Sequence, residues 1–453
     1  TRKKQVFKPI KKGNVGLYTC GPTVYHTAHV GNLRTYIFED ILKRVLLYNK
    51  YKVRHVMNIT DVGHLTSDAD TGEDKVEAAS KKEGKDAWEL SATYTKQFQS
   101  DIQKLNILSP DVWCKATDHI KEQIDWIMRL EKLGYAYRTS DGIYFDTSKF
   151  KNYGAMALLE RQLLQAGKRI AIGEKKNSTD FAVWKFSPKK ENRHMEWNSP
   201  WGTGFPGWHI ECSVMATKYL GSHFDIHCGG IDHIPIHHTN EIAQTEAVTK
   251  KPWVNVWMHG EFLIVEEEKM SKSKGNILSL DALEKQEYNS LDFRYLCLTA
   301  HYRKQLTFSK EAINGAQASR KKLQNRIREI EESATKKGKI NVTYQKEFLV
   351  AINDDLNIPR ALAVAWNLLK DTTISSEDKY ATWQEFNKVF CITQGDKKDG
   401  IPKRIIEMAE ERQKARVISN FNVADEIRQK ITNEGFTIED KKGKYVLKKR
   451  RIR

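Results

Sequence analysis

The chain has 453 residues, a formal net charge of +17 and six cysteines. This length is enough for two to four domains with a sizeable core, and no apolar run approaches the ~18 residues that a membrane-spanning helix needs. Six scattered cysteines in so long a chain do not make a disulfide scaffold and favour a reducing, cytoplasmic setting, while the positive surplus either fits a partner with many phosphates or serves solubility alone.

The N-terminal part of the chain predicts a strand, a helix and a second strand. Residues 1–4 lack the apolar core of a signal peptide. Residues 14–20 form a run typical of a buried strand, apolar side chains at helical spacing predict a helix at about 31–48, and alternation predicts a strand at 51–60. Because such a unit usually crosses over to form a parallel pair, this part predicts a parallel sheet.

The central part of the chain predicts a second half of the same sheet. Strands are predicted at 224–227 and 254–258, with a helix at about 238–249 between them. The stretch between the halves, roughly 112–195, is then an insertion, within which residues 142–146 have strand character. The sequence therefore favours an α/β fold with a Rossmann-type parallel sheet that is split by an insertion.

The last third of the chain is rich in charged residues and has helical periodicity. Residues 309–334 and 344–371 have helical period, and a lysine-rich linker at 336–339 joins them. Beyond a predicted boundary at 395–403, a helix is predicted at about 403–434, followed by a hairpin and a tail dense in Lys and Arg. This pattern predicts an α-helical domain and then a small α/β tail.

Two distant segments have the chemistry of a nucleotide site. Thr27-Ala28-His29-Val30-Gly31-Asn32 stands where the chain enters the first predicted helix, and a helix N terminus offers free N–H groups to phosphates. Lys269-Met270-Ser271-Lys272-Ser273 has two lysines and two hydroxyls that can neutralise and hydrogen-bond a polyphosphate. Each segment alone is a weak signal. Lysine- and serine-rich loops are usually just solvated, and a single histidine such as His29 is more often a capped residue of the core.

A second constellation has the chemistry of a metal site. Cys20 ends the first strand, Cys212 lies in a separate segment, and His237 and Glu241 are four residues apart and so share a face of a helix. Two thiolates, an imidazole and a carboxylate can bind zinc tetrahedrally. The spacing alone is weak evidence, since His-x-x-x-Glu on a helix is usually a surface pair, and His238 leaves the histidine ligand ambiguous by one residue.

These segments and several others, in one order, resemble the class I aminoacyl-tRNA synthetases and, from end to end, their cysteinyl-tRNA synthetase family. The segments that carry the resemblance are Tyr18–Tyr25, Asn58–Asp61, Pro206–Ser213, Gly229–Asp232, His237–Gln244, Trp257–His259 and Lys269–Ser273. The resemblance implies the class I synthetase fold with five divisions. These are a first catalytic half at 1–111, a connective insertion at 112–195, a second catalytic half at 196–305, a helical tRNA-binding domain at 306–400 and a small anticodon-binding domain at 401–453.

The resemblance implies one zinc ion per chain. Its ligands would be Cys20, Cys212, His237 and Glu241, and the thiolate of the substrate would join them. A thiolate is a far better zinc ligand than an alcohol, so such a metal separates cysteine from serine, and no editing site is expected.

The resemblance also implies a cysteine pocket lined by Thr60, Trp208 and Asp232, with Asp232 paired to the α-ammonium group. Two alternatives stay open at this point. Trp208 can be a plain core residue, and Asp232 can be a turn residue after two glycines.

For ATP, the resemblance implies contacts from the two nucleotide segments. The expected catalytic residues are His29, Asn32, Lys269 and Lys272. The expected ATP contacts are His29, Gly31, Asn32, Lys269, Met270, Ser271, Lys272 and Ser273. Mg²⁺ is expected to accompany ATP, held largely by phosphates and water, because no dedicated carboxylate cage is visible in the sequence.

Three stretches need separate interpretation. Asn32 stands where the family usually has His, and it can donate a hydrogen bond but carry no charge. Residues 62–70 depart from the acidic and lysine pattern of many relatives, and His64 there is expected to be an exposed loop histidine. Residues 202–207 fit a dinucleotide pattern but follow no predicted strand, so a loop is expected there.

The expected activity is ATP-dependent conversion of L-cysteine to cysteinyl-adenylate and its transfer to the 3′-terminal adenosine of tRNA(Cys), by a cytoplasmic monomer without membrane contact. Trp383, Phe386 and Phe421 are possible base-stacking residues, although aromatics at helical spacing are more often core.

Three alternatives remain. A ligase that joins cysteine to an amino-sugar inositol would not need the basic tail, and a non-catalytic tRNA-binding paralogue would be expected to lose His29, Lys269 or Cys20. A structural zinc protein would leave the lysine-rich loop unexplained.

Overall fold

The computed structural model describes residues 4–63, 74–157, 174–188, 193–266, 278–393, 403–441 and 444–449. His64 and the lysine-rich segment 269–273 lie outside these ranges. The chain divides into two compact units, Thr1–Ile392 and Thr393–Arg453. Among the described residues, no helix is both long and apolar enough to cross a membrane.

A five-stranded parallel sheet forms the centre of the first unit. In spatial order its strands are Val112–Lys115 (β3), Lys52–Ile59 (β2), Asn14–Thr19 (β1), Phe224–Gly230 (β8) and Val254–Gly260 (β9). The middle strand joins the two halves, since β1 pairs with β2 along its whole length and with β8 from Leu17 to Thr19. This sheet confirms the predicted α/β class with its parallel sheet.

The sheet is buried because helices cover it, which is the rule for parallel sheets. All seven residues of β8 are buried, and Leu17 and Tyr18 of β1 have no exposed surface. The chain leaves β1 toward β2 on one side, while β8 lies on the other side. The carboxyl ends of β1 and β8 therefore meet where the strand order reverses, and ligands of open α/β sheets bind at such a place.

Three strands of the predicted insertion and one strand that follows it form a four-stranded antiparallel sheet. Its strands are Ala136–Arg138 (β4), Gly142–Phe145 (β5), Phe181–Phe186 (β6) and Gly204–Pro206 (β7). The loop predicted at 202–207 is thus partly wrong, because β7 pairs with β6 and leads straight into the helix Trp208–Leu220 (α5). A three-residue strand is too short to give a recognisable sequence pattern.

The other helices of the first unit surround the sheet and then form a bundle. They are Val30–Tyr48 (α1), Lys75–Glu83 (α2), Ala87–Lys104 (α3), Ile120–Lys132 (α4), Thr239–Thr249 (α6), Leu280–Glu284 (α7), Ser290–Leu298 (α8), Lys310–Ser333 (α9), Val342–Asn353 (α10), Ile358–Lys370 (α11) and Ser376–Phe390 (α12). Two short parallel strands, Leu263–Val265 (β10) and Leu306–Phe308 (β11), pair with each other. The helical run predicted at 344–371 is two helices, because Asp355 and Leu356 both have φ of 55° and the Asn357 side chain caps α11.

The second unit consists of two helices and a hairpin. Its elements are Lys403–Val417 (α13), Phe421–Asn433 (α14), Phe436–Lys441 (β12) and Lys444–Lys449 (β13), and the two strands are antiparallel. The single helix predicted at 403–434 is wrong, because Ser419 has φ of 60° and the Asn420 side chain accepts from the Val423 N–H to start α14. Ile405, Ile427 and Ile438 belong to its small core.

Candidate metal centre and active site

Four buried donors from four segments meet at the carboxyl end of the central sheet. Cys20 follows β1, Cys212 lies in α5, His237 lies in a π-helical turn, Ile234–His238, and Glu241 lies in the first turn of α6. One ligand atom from each lies within 4.8 Å of all the others. None of these residues is more than 5% exposed. The structure therefore brings together all four residues of the predicted metal set.

The donor set has the character of a cation site. His237 Nε2 lies 3.2 Å from one Glu241 oxygen and His227 Nε2 lies 3.1 Å from the other. Neither contact has hydrogen-bond geometry, so both oxygens of this buried carboxylate lack a hydrogen-bond donor among the described residues. A buried charge without such partners is costly, and a divalent cation would satisfy the two thiols, the imidazole and the carboxylate together. The residues present fit zinc, which prefers sulfur and nitrogen ligands.

The acidity of the donors reflects their mutual charges. Burial disfavours charged His237, but Glu241 and Cys212 outweigh it and raise the pKa of His237 to about 10. The Cys20 thiol, by hydrogen bonding, lowers the pKa of Cys212. Burial and the neighbouring Cys212 raise the pKa of Cys20 well above its ordinary value. Of the two thiols, Cys212 therefore loses its proton more readily than Cys20.

Sequence reasoning missed two half-buried histidines, His233 and His259, beside the buried His238. His238 Nδ1 lies 2.8 Å from His259 Nε2, and His238 Nε2 lies 3.5 Å from Cys20 Sγ. Burial and neighbouring histidines lower the pKa of His259 to about 3 and that of His233 to about 4, so both rings are neutral. Their spacing along the chain has no metal-site pattern, and only the fold brings them together.

The histidine ligand keeps an alternative in the structure. His238 forms two further donor groups, one with Cys20 and His233 and one with His227 and Glu241. Of the histidines in the described part of the chain, only His237 joins both cysteines and the glutamate in one group. The geometry therefore favours His237 over its neighbour.

The residues predicted to line the cysteine pocket surround the donors unequally. The Trp208 ring is half-buried and stacks on His237, with 4.3 Å between the ring centroids, so it is not a plain core residue. Thr60 is buried and donates a hydrogen bond to Glu211. Asp232 is exposed in the 3-10 turn Ile231–His233, and a Cβ on Gly230 would meet its carboxylate at 2.2 Å. Asp232 is therefore a turn residue with an exposed carboxylate, and its pairing with an α-ammonium group stays a prediction.

The predicted nucleotide segment forms the N terminus of α1. His29 is its N-cap, the Asn32 N–H donates to His29 Nδ1 at 3.2 Å, and the Asn32 side chain accepts from the His29 N–H at 3.3 Å. Because Nδ1 accepts, Nε2 carries the proton of a neutral ring, and burial and His26 lower the pKa of His29. A Cβ on Gly31 would meet the His29 ring at 2.8 Å, so only glycine leaves the ring in place.

The same helix end contacts the chain beyond the predicted lysine-rich segment. The Val30 N–H donates to the Leu278 carbonyl at 2.9 Å, and His29 forms a β-bridge with Ser279. Leu278 is five residues after Ser273 in the sequence. The fold therefore returns the chain to the first turn of α1 directly after the second nucleotide segment.

The three candidate stacking aromatics differ in exposure. Trp383 and Phe386 are 2% and 0% exposed and belong to the core of the first unit. Phe421, at the start of α14, is 57% exposed. The core interpretation is right for the first two residues, and only Phe421 is available to a base.

Comparison with known proteins gives a consistent result. Residues 6–318 match the family model described as the tRNA synthetases class I (C) catalytic domain. The chain is 50% identical to cysteine–tRNA ligase 1 of Burkholderia lata over 97% of its own length and 93% of the relative. It is 43% identical to the cysteine–tRNA ligase of Treponema denticola over 99% and 98% of the two chains.

Solved structures share the fold at low sequence identity. Methionyl-tRNA synthetase of Mycobacterium tuberculosis in complex with methionyl-adenylate superposes with a TM-score of 0.55 at 17% identity, over 84% of this chain and 90% of that one. The LeuRS of Agrobacterium radiobacter K84, in its ternary complex with tRNA, gives 0.59 at 10% identity, over 85% and 84%. The fold, the matched catalytic domain and the near full-length relatives agree, and the chain belongs to the cysteine–tRNA ligase family of class I aminoacyl-tRNA synthetases.

Proposed function

We propose that this protein activates L-cysteine with ATP, forming cysteinyl-adenylate and pyrophosphate, and transfers the cysteinyl group to the 3′-terminal adenosine of tRNA(Cys). The observation that carries the proposal is the buried set of Cys20, Cys212, His237 and Glu241, together with the capped N terminus of α1 in the same unit. A metal held by these donors would select for a thiol, and the free N–H groups of a helix end suit phosphate. Membership of the family supports the same reaction.

The four donors are proposed to hold zinc. When bound there, zinc supplies a soft Lewis acid that accepts a thiolate far more readily than an alcohol. A pocket that selects by shape alone distinguishes substrates as similar as cysteine and serine by only ~10–200-fold. The four donors are buried and already lie within 4.8 Å of one another, so they can act together in the choice between cysteine and serine.

The first step needs positioning and charge stabilisation more than proton transfer. The α-carboxylate of the amino acid is already ionised and attacks the α-phosphorus of ATP, and the bond to pyrophosphate breaks. His29 is proposed to donate from Nε2 to a phosphate oxygen. Gly31 lets the nucleotide approach the helix end. The backbone N–H of Asn32 donates to the His29 ring, and the Asn32 side chain accepts from the His29 N–H. Asn32 is proposed to contribute to ATP binding at this helix end.

The remaining nucleotide contacts are proposed from the sequence. Lys269 and Lys272 would stabilise the charge that develops on the leaving pyrophosphate, and Met270, Ser271 and Ser273 would supply further contacts to ATP. Mg²⁺ is proposed to enter with the nucleotide, held mainly by phosphate oxygens and water.

The amino acid is proposed to lie among Trp208, Thr60 and Asp232. Asp232 has an exposed carboxylate that suits the α-ammonium group, and the Trp208 ring covers His237 at the edge of the donor set. This arrangement leaves the carboxylate of the substrate to face α1 and ATP.

The second unit is proposed to contact the anticodon region of tRNA. Its sequence ends in Lys444 to Arg453, dense in positive charge, and Phe421 presents an exposed ring. Positive charge neutralises phosphates and an exposed ring stacks an unpaired base. This unit argues against the cysteine–inositol ligase alternative, which has no anticodon to read. We further propose that the protein acts as a cytoplasmic monomer.

ATP–pyrophosphate exchange measured across the amino acids, with and without a zinc chelator, tests the proposal. Cysteine alone should drive exchange, serine should fail, and prior chelation should abolish the cysteine signal. Exchange driven equally by serine, or unaffected by complete removal of metal, would refute the role of the donor set.

A further inference from the structure

A line of hydrogen bonds runs behind the proposed cysteine pocket. The Gly21 N–H donates to Asn58 Oδ1 at 2.8 Å, Asn58 Nδ2 donates to Thr60 Oγ1 at 3.0 Å, and Thr60 Oγ1 donates to Glu211 Oε2 at 3.1 Å. The three side chains are no more than 1% exposed. Each bond therefore lies where water does not compete with it.

The direction of every bond in this line is fixed. Gly21 can only donate through its N–H, so the Asn58 amide must present oxygen to it and nitrogen to Thr60. A carboxylate can only accept, so the Thr60 hydroxyl hydrogen points to Glu211. One lone pair of the Thr60 oxygen is left, and the hydroxyl can serve a further ligand only as an acceptor.

Thr60 is held between the two segments that supply the thiol donors. Its N–H donates to the Pro22 carbonyl at 3.0 Å, and its own carbonyl accepts from the Val24 N–H at 3.1 Å, just after Cys20. On the other side, Glu211 precedes Cys212 on α5 and lies three residues after Trp208, so all three belong to the first turns of one helix. The Thr60 hydroxyl therefore has a fixed position relative to Cys20 and Cys212.

We propose that Glu211 is a positioning residue that sets the polarity of the Thr60 hydroxyl, so that Thr60 accepts a hydrogen bond from the α-ammonium group of cysteine. The inference rests on the proposed function. An acceptor backed by a carboxylate attracts the ammonium end of the amino acid and repels the carboxylate end. The cysteine substrate is thereby oriented, with its ammonium group toward Thr60 and Asp232 and its carboxylate toward α1.

The alternative is that Glu211 only fastens α5 to the end of β2. A fastening role predicts that a substitution weakens all ligands alike and acts independently of Thr60. A positioning role predicts that the loss depends on the ammonium group and passes through the Thr60 hydroxyl.

The test compares Glu211→Gln, Thr60→Val and the double variant with the wild type. The Gln side chain keeps the shape of Glu but can donate as well as accept, so it no longer fixes the hydroxyl. Titration calorimetry would use cysteamine, which has a thiol and an ammonium group, and 3-mercaptopropionate, which has a thiol and a carboxylate. Glu246→Gln is the matched control, because Glu246 accepts from the Trp253 N–H away from the donor set.

For Glu211→Gln, we expect the Kd of cysteamine and the KM for cysteine to rise roughly 10-fold, which is the scale of a charged hydrogen bond. The Kd of 3-mercaptopropionate, the zinc content and the melting temperature should stay within twofold or a few degrees. The double variant should be no weaker than Thr60→Val, because Glu211 acts through that hydroxyl.

Equal weakening of both thiols, or additive effects in the double variant, would overturn the inference. If Glu211→Gln does not fold, Thr60→Val alone decides, since it too should weaken cysteamine and spare 3-mercaptopropionate. Failure of the proposed function is distinguishable, because then the wild type itself would show no cysteine-dependent pyrophosphate exchange.

Discussion

The guanidinium of Arg294 lies 2.5 Å from the carboxylate of Asp40, and neither side chain has exposed surface. Arg294 also donates to the carbonyls of Phe390 and Leu105 at 2.8 and 3.0 Å. The pair thereby joins α1 to the ends of α3 and α12. A buried pair of this kind is costly to break, because removal of one partner leaves the other charged group without compensation.

Arg294→Met should therefore destabilise the first unit. We expect a loss of roughly 3 kcal/mol, at the low end of the range for broken buried pairs, because Arg44 still donates to Asp40 at 2.8 Å. Urea unfolding measures the change. The control is Glu329→Ala, which removes an exposed partner of Arg326 and should cost about 0–1 kcal/mol. Equal losses in the two variants would contradict the role of the buried pair.

Cys212→Ala should lower the zinc content of the purified protein and raise the KM for cysteine. The variant leaves three of four donors, and the substrate thiolate then lacks a fully held metal. Elemental analysis measures the first effect and pyrophosphate exchange the second. Cys297→Ala is the control, because Cys297 is buried but lies outside the donor groups found among the described residues. Unchanged zinc in Cys212→Ala would reject the ligand set.

The sequence predicted the sheet and its split because buried strands and helical period leave strong local patterns. It also singled out Cys20, Cys212, His237 and Glu241, which the structure brings within 4.8 Å of one another. These donors are far apart along the chain, so the resemblance to a family, not their spacing, made them a set.

Other features depended on contacts that no local pattern records. The neutral histidines His233 and His259 belong to segments with no common motif. The capping role of Asn32 depends on the orientation of the His29 ring. The breaks at Asp355 and Ser419 depend on positive φ values in residues that are not glycine, which a helical pattern does not reveal.

Removal of residues 393–453 should separate the two chemical steps. The chain divides into compact units at Ile392 and Thr393, and all described residues of the donor set and of the α1 site belong to the first unit. We expect pyrophosphate exchange within a few-fold of the full chain and a much larger loss in tRNA charging. Loss of both activities to the same degree, in a fragment that still melts cooperatively, would contradict this division of labour.

Phe421→Ala should weaken tRNA charging without loss of stability. The ring is 57% exposed, and stacking on a base is worth ~1–3 kcal/mol by alanine substitution, so the KM for tRNA should rise by about tenfold. Exchange with cysteine should not change. Val417→Ala, also exposed but without a ring, is the matched control.

Trp383→Ala gives the opposite pattern. Its side chain is 2% exposed, so truncation should cost about 3–5 kcal/mol of stability and affect both activities through folding. If the Phe421→Ala variant charges tRNA normally, Phe421 is not part of the proposed RNA-binding surface.

Asp101→Asn should stabilise the protein in a pH-dependent manner. Asp101 is 1% exposed and one of its oxygens has no hydrogen-bond partner among the described residues, while Asp281 and Glu284 are nearby charges. Burial, with help from Asp281, raises the pKa of Asp101 from 3.8 to about 7. Between these two values the folded protein keeps a proton that the unfolded chain has lost, so stability falls as the pH rises from about 4 to 7.

Asparagine carries no charge, so the Asp101→Asn variant does not lose stability in this way as the pH rises. The difference in the free energy of unfolding between variant and wild type should be near zero at pH 4 and greatest above pH 7. There it should be on the order of 1–3 kcal/mol, the scale for a buried group without a partner. Urea unfolding at pH 4.5 and pH 8 measures it, with Asp118→Asn, an exposed position, as control. A gain that is the same at both pH values would show that lost charge is not its cause, and a gain confined to low pH would reverse the assigned direction of the pKa shift.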